Sequence, residues 1–393
     1  MYTGAIEDIG LLLLLAALVA MVARRFRLPY TVGLTIAGIF VSLLPSRPSI
    51  HLTRDLIFDV FLPPLIFEAA LQMEWPRFKA DLPVTSVLAT AGVALSGLVV
   101  AVGTYYGLHW PLATSLVTAI LISATDPVAV IASFRDLGVG GRLQMLVESE
   151  SLLNDGTAAV LFALAVDAVG TGSVDGRHVV LSFFVTVFGG ALSGALVAGI
   201  ALLLVGRTLD YLVEITFTVI AAFGSFILAE KLHVSGVLAT MTAGILIGNS
   251  HSRGFLTQEG HVAVESFWEY AAFVVNSLIF LLIGISVAEQ PFLITWLACV
   301  AVVSLAMAGR AAAVYGCSAL FVKSRFRVEL ANQHVLFWGG LRGALALALA
   351  LGLPESFPQR ASVLAVTFAV VAFSVIVQGL TIQPLLGRAK VAS

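Results

Sequence analysis

Long apolar runs, each near the length that crosses a bilayer, alternate with short polar stretches from one end of the chain to the other. A hydrocarbon core about 30 Å thick needs about 20 mostly apolar residues per helix. On that rule the pattern predicts an all-α polytopic membrane fold of 13 spans: 6–23, 28–45, 53–72, 82–106, 110–134, 146–170, 178–206, 211–229, 234–249, 265–288, 292–318, 333–352 and 361–386. Polar residues do not keep to the breaks. Glu68, Asp126, Glu150, Asp155, Arg310 and Arg342 fall inside the runs, where insertion scales penalise a central Asp, Lys or Arg by about 2.5–3.5 kcal/mol.

Composition agrees with the pattern. Hydrophobic residues make up 59% and charged residues 11% of the 393, against about 45–50% and about 25% in soluble domains. With a mean hydropathy of +1.03, no soluble domain is expected. A net charge of −2 without a basic tail gives no reason to expect nucleic acid as a partner. Cys299 and Cys317 both lie in apolar segments, so neither a disulfide framework nor a cysteine metal site is indicated, and no cofactor is expected. Glu7 and Asp8 precede LLLLLAALVAMVARRFR, the wrong charge order for a secretory signal, so this run is read as a retained first helix.

Loop charge sets the orientation. With the N-terminus outside, the outer loops hold only Arg47, Arg54, Arg177, Lys231 and Arg360. Arg310 and Arg342 lie within spans, and the remaining 14 of the 21 Lys and Arg residues fall in cytoplasmic loops. That positive-inside asymmetry supports 13 spans and a cytoplasmic C-terminus. Two strings recur: TIAGIFV (35–41) in MTAGILI (241–247), and PPLIFEA (63–69) in NSLIFLL (276–282). Each offset covers seven spans, and an odd offset inverts topology, the layout of many secondary transporters. Strings this short also arise by chance, so on their own they leave the repeat open.

The intramembrane charges carry the chemistry. Four acids face two bases, a deficit of about two charges that protons or a bound cation would fill. At about 100° per residue, Glu150 stacks on Asn154 and Ser151 on Asp155, so one helix face offers two carboxylates, an amide and a hydroxyl. Such oxygens suit a hard monovalent cation; the plainer alternative is hydrogen bonding between helices. In SATDPVAV (123–130), Pro127 removes a donor and disfavours helix at Asp126, predicting an unwound segment with Thr125 and Asp126 on it, or at the least a kink. WGGLRGALALALALG (338–352) is the counterpart, with Gly339, Gly340 and Gly343 weakening the helix and Arg342 as a fixed positive charge opposite the Asp126 break. Without a following Gly-Lys-Ser/Thr it is no phosphate loop. Pro63 and Pro64 bend the helix before Glu68, placing that acid in the site, on its access path or in packing. Arg310 neutralises a buried carboxylate, and Glu150 is the nominee, although spacing alone leaves the pairing open.

FLPPLIFEAAL (61–71), ATDPVAV (124–130), ESLLNDGTAAV (150–160) and GGLRGALALALAL (339–351), in this order, closely resemble the NhaP-type sodium/proton antiporters. These belong to the cation:proton antiporter superfamily that includes the eukaryotic sodium/proton exchangers. The resemblance implies inverted six-helix repeats with two unwound helices, the TDP and GGLRG pair, crossing near the ion. It implies a homodimer, each protomer divided into a dimerisation domain (about 1–80 and 178–288) and an ion-translocating core domain (about 82–170 and 292–386). It makes Asp155 the essential ion-binding carboxylate, with Asp126, Ser151, Thr125 and Glu68 around the ion. It also pairs Glu150 with Arg310 as structural charges, beside Arg342. An amide at Asn154, in place of a second acid, resembles the electroneutral branch.

The function expected is therefore secondary antiport, not enzymatic catalysis: Na⁺ (or Li⁺) against H⁺, one for one, by alternating access with both competing at Asp155. The expected setting is a prokaryotic cell membrane. A K⁺/H⁺ antiporter is the alternative. A cation channel would need a repeated filter or pore loop, and an intramembrane aspartyl protease a Gly-x-Gly-Asp signature; neither is visible.

Overall fold

A computed structural model describes residues 2–26, 29–44, 50–171, 176–250, 255–290 and 292–388. The loop cations Arg27, Arg47, Arg253 and Lys390 lie outside these residues. The described chain is helical, without a strand. In order it forms α1 (Tyr2–Phe26), α2 (Tyr30–Ser42), α3 (Leu62–Leu71), α4 (Trp75–Val87), α5 (Val93–Gly107), α6 (Leu112–Leu121), α7 (Val128–Leu137), α8 (Arg142–Thr171) and α9 (Gly176–Val205). It continues as α10 (Tyr211–Lys231), α11 (Gly236–Gly248), α12 (Gln258–Ala288), α13 (Phe292–Ala319), α14 (Leu330–Trp338), α15 (Ala344–Leu351), α16 (Arg360–Phe373) and α17 (Gly379–Arg388). Among the described residues, seven helical stretches are long and apolar enough to cross a membrane, while α2, α6 and α11 are shorter apolar helices.

The expected spans 110–134 and 333–352 are each two half-helices, α6–α7 and α14–α15, separated by unwound residues. Elsewhere the irregularity is milder. A π-helical turn, Leu56–Phe61, precedes the Pro63–Pro64 pair. Proline offers no N–H, and its ring crowds the carbonyl four residues back; a wider turn relieves both problems without breaking the helix. The bend expected at these prolines is thus a bulge. Further π-helical turns join α4 to α5 at Leu88–Gly92 and α16 to α17 at Ser374–Gln378.

Contacts divide the chain into two compact units. One comprises Met1–Ile57, Pro83–Asn154 and Asn276–Ser393; the other comprises Phe58–Leu82 and Asp155–Val275. In the first, α13 packs on α5 and α16, and α5 on α6. An apolar cluster there joins Val130 and Phe134 of α7, Leu146 of α8, Val314 of α13, Leu336 of α14 and Ile382 of α17. In the second unit α11 is the centre, packed on α3, α9 and α10. Phe67 of α3 lies against Trp268 of α12 with ring centroids 4.6 Å apart.

Each unit contains a very close helix crossing that uses the recurring strings. In the first unit, a Cβ on Gly38 of TIAGIFV would lie 2.2 Å from the Leu281 carbonyl oxygen, so α2 meets α12 backbone to backbone. In the second, a Cβ on Gly244 of MTAGILI would lie 2.9 Å from the Phe67 carbonyl oxygen of α3. The first string of one half thus packs on the second string of the other half, in both directions. Chance similarity gives no reason for that reciprocity; an inverted repeat does.

Candidate functional site

Asn154 and Ser151 of α8 hold the first break open. Ser123 to Pro127 leave the helical path after α6, and Pro127 precedes the first turn of α7. The Asn154 amide donates to the Ser123 carbonyl at 3.0 Å, to Thr125 Oγ1 at 3.3 Å and to Glu150 Oε1 at 3.4 Å. One turn earlier, the Ser151 and Thr125 hydroxyls share a 3.0 Å hydrogen bond. All four side chains are buried. A buried carbonyl or hydroxyl without a partner costs about 1–3 kcal/mol, so these bonds are what make an unwound strand of backbone tolerable at this depth.

Glu150 is fully engaged. Arg310 of α13 donates to its two oxygens at 2.7 and 2.9 Å, a bidentate pair with Glu150 at 1% and Arg310 at 5% exposure. The same guanidinium donates through Nε and Nη2 to the Leu336 carbonyl near the end of α14, at 3.3 and 2.8 Å. One arginine therefore satisfies an acid on α8 and a carbonyl that α14 leaves without an intrahelical donor.

The second break, Gly339 to Gly343, touches the first. The Asp126 amide donates to the Leu341 carbonyl at 2.8 Å. The Asp126 carboxylate accepts from the Val128 amide at 2.9 Å and from the Ala344 amide, so it caps the N-termini of both α7 and α15. Two positive helix ends converge on one carboxylate, each worth about 0.3–1 kcal/mol for an anion. Gly343 makes this approach possible, since a Cβ there would sit 1.9 Å from Asp126 Oδ2. Arg342, also buried, donates to the Gly340 carbonyl at 2.7 Å and forms no ion pair among the described residues. The helix termini, rather than Arg342, meet the Asp126 charge.

Asp155 follows Asn154 on α8, where the chain passes into the second unit, and is partly buried. Ser151 lies one turn before it on the same helical face. Glu68 is in the second unit on α3, where Gln72 donates to its carboxylate. Thr125, Asp126, Glu150, Ser151, Asn154, Arg310 and Arg342 all lie in the first unit. Sequence reasoning missed Gln378, which is 1% exposed and donates to the Trp338 carbonyl at 2.9 Å. Its only signal was an amide inside an apolar run.

An all-helical membrane fold with inverted repeats, in which two broken helices meet over a buried acid, defines a secondary transporter. Comparison with known proteins narrows the class. The family described as sodium/hydrogen exchanger, transmembrane, matches residues 11–388. The low-affinity Na⁺/H⁺ antiporter NhaS1 of Synechocystis sp. is 37% identical over 91% of this chain and 69% of its own length. The Na⁺/H⁺ antiporter NhaH of Halobacillus aidingensis is 32% identical over 98% of both chains. The solved structure of the sodium proton antiporter MjNhaP1 from Methanocaldococcus jannaschii superposes with a TM-score of 0.78, covering 98% of this chain and 97% of that one, at 19% identity. The chain belongs to the sodium/hydrogen exchanger family and is a multi-pass membrane protein.

Proposed function

We propose that this chain exchanges Na⁺ for protons across a cell membrane, one for one, with both ions competing for the Asp155 carboxylate. The relatives it matches are named Na⁺/H⁺ antiporters. The observation that carries the assignment to Asp155 is the bidentate Glu150–Arg310 pair. Of the two acids on this face of α8, one is neutralised by a guanidinium, which leaves Asp155 as the α8 acid to exchange partners. Asp126 is anchored on two helix N-termini. Ser151 supplies a hydroxyl one turn before Asp155, and Glu68 is proposed as a second acid on the ion path.

The cycle follows from charge. An ionised, empty Asp155 is penalised when the carrier changes its facing side, while either a cation or a proton neutralises it. Passage is then allowed only when one of the two is bound, which enforces exchange. Asn154 adds no second titrating group at this point, which supports one proton per cation. Li⁺ is proposed as a second substrate. The chain is proposed to work as a homodimer with its N-terminus outside and C-terminus in the cytoplasm.

The test is proton flux in proteoliposomes driven by a Na⁺ gradient, with K⁺ and Li⁺ as parallel arms. Asp155→Asn loses cation-driven proton flux while retaining the wild-type melting profile in detergent. Normal flux in a folded Asp155→Asn protein rejects the assignment. Flux with K⁺ but not Na⁺ rejects the choice of cation.

A further inference from the structure

A membrane-buried glutamine is disfavoured unless its amide is used, and Gln378 uses its amide at one specific place. It is the last residue of the π-helical turn Ser374–Gln378, in which Gly379 reaches back to the Ser374 carbonyl across one extra residue. That extra residue rotates the following side chains by about 100° relative to a regular helix. The Gln378 amide lands 2.9 Å from the Trp338 carbonyl, the last carbonyl of α14 before the second break. A helix end leaves such carbonyls without donors. One turn further on, Thr381 accepts from the Trp338 indole N–H at 2.8 Å. Trp338 is therefore gripped at its backbone and its side chain by the same stretch of the final helical segment.

The residues after Trp338 complete the chain of contacts. Leu341 donates back to Gly339, the Gly340 carbonyl takes Arg342, and the Leu341 carbonyl takes the Asp126 amide. Ser374 and Gln378 line a small cavity together with Gly340 and Arg342, so the π-helical turn faces the unwound residues directly. Any shift of Trp338 passes through three residues to the backbone that holds Asp126.

We propose that Gln378 is a positioning residue for ion exchange: the π-helical turn aims its amide at Trp338 and thereby fixes the register of the second break beneath Asp126. The transport part of this assignment rests on the antiport reading above. A purely structural hydrogen bond between helices would affect melting alone.

The experiment pairs transport kinetics with amide hydrogen exchange on the full-length protein in detergent or nanodiscs. Gln378→Met keeps the volume and removes the donor. Its apparent KM for Na⁺ rises about fivefold, the scale of one lost hydrogen bond, with Vmax within about twofold of wild type. Amide exchange across residues 339–343 speeds up while α9 and α10 are unchanged. Gln378→Glu, protonated at acidic pH, donates again, so its KM approaches wild type as pH falls. Thr381→Val, which releases only the indole, gives a smaller change in the same direction and serves if Gln378→Met does not fold. Unchanged exchange at 339–343 in the folded variants overturns the positioning role whatever ion is carried. Faster exchange there with an unchanged KM confines Gln378 to structure and also overturns it.

Discussion

The two broken helices are built on opposite plans. The first, at Ser123–Pro127, is broken by a proline and carries an acid; the second, at Gly339–Gly343, is broken by glycines and carries a base. In and beside the second break the freed carbonyls are taken mostly by donors from other segments of the same unit, and in one case by a side chain of the break itself. Arg310 holds Leu336, Gln378 holds Trp338, Arg342 holds Gly340 and the Asp126 amide holds Leu341. The first break is tied mainly to α8, through Asn154 and Ser151. Glycine allows the second segment to approach closely, and distant side chains then fix it in place. Proline and a short acid mark the first segment in the sequence, while bonds from α8 and to Leu341 hold it. The helix that carries Asp155 is thus wired into the proline break, while the glycine break serves as a clamped abutment for Asp126.

The largest effect should come from breaking that clamp at its charged end. Arg310→Met leaves Glu150 buried without its partner and strips Leu336 of its donor. Removing one member of a buried pair costs about 3–5 kcal/mol, enough to prevent recovery of folded protein in detergent. The double variant Glu150→Leu/Arg310→Met regains much of this loss, because no buried charge is then left unpaired. Detergent melting of the two variants against wild type measures the difference. Equal melting of Arg310→Met and wild type would mean that the pair does not hold the second break.

A smaller loss is expected at the point where the breaks meet. Gly343→Ala puts a methyl 1.9 Å from Asp126 Oδ2 and 2.4 Å from its Cβ, so the carboxylate must leave the α15 terminus. Overpacking of this kind costs about 1–3 kcal/mol. Apparent Na⁺ affinity falls with stability, whereas Gly107→Ala, which meets open space, changes neither. Transport kinetics and melting of this pair separate a local clash at Asp126 from a general sensitivity of helices to alanine.

How much of this could be read from the sequence follows the range of the forces involved. Apolar run length marked the helices because one physical constraint, bilayer thickness, acts on every span alike. The two breaks were visible because proline and glycine act on their own backbone. The role of Asp126 was only half legible: its place in a break follows from Pro127, but its capping of α15 depends on a segment more than 200 residues away. Arg342 lies on the segment whose Leu341 carbonyl takes the Asp126 amide, and its bond to a carbonyl two residues back was not legible from spacing. Gln378 was missed because a π-helical turn is a backbone choice with no sequence signature, and it alone decides where that amide points. The reciprocal crossings of Gly38 and Gly244 converted two weak string matches into a repeat, which spacing alone did not do.

The smallest expected effect bears most directly on the contrast between the breaks. If Pro127 writes the first break locally, Pro127→Ala lets α6 run on into α7, and residues 122–127 become helical. If tertiary bonds hold it, the break survives without the proline, because Asp126 remains tied to Leu341 and Asn154 to Ser123. The contacts favour survival. Restoring a helix there would release the Asp126 amide, its carboxylate cap and the Asn154 bond together, several buried hydrogen bonds in exchange for one or two helical ones. The variant should therefore lose less than about 1 kcal/mol, mostly through the greater freedom of its unfolded chain. Transport should stay within about twofold of wild type, a change of under 0.5 kcal/mol. Amide exchange over 122–131 is the measurement. Strong new protection at 123–126 would return authorship of the break to the proline and make the two breaks different in origin as well as in composition.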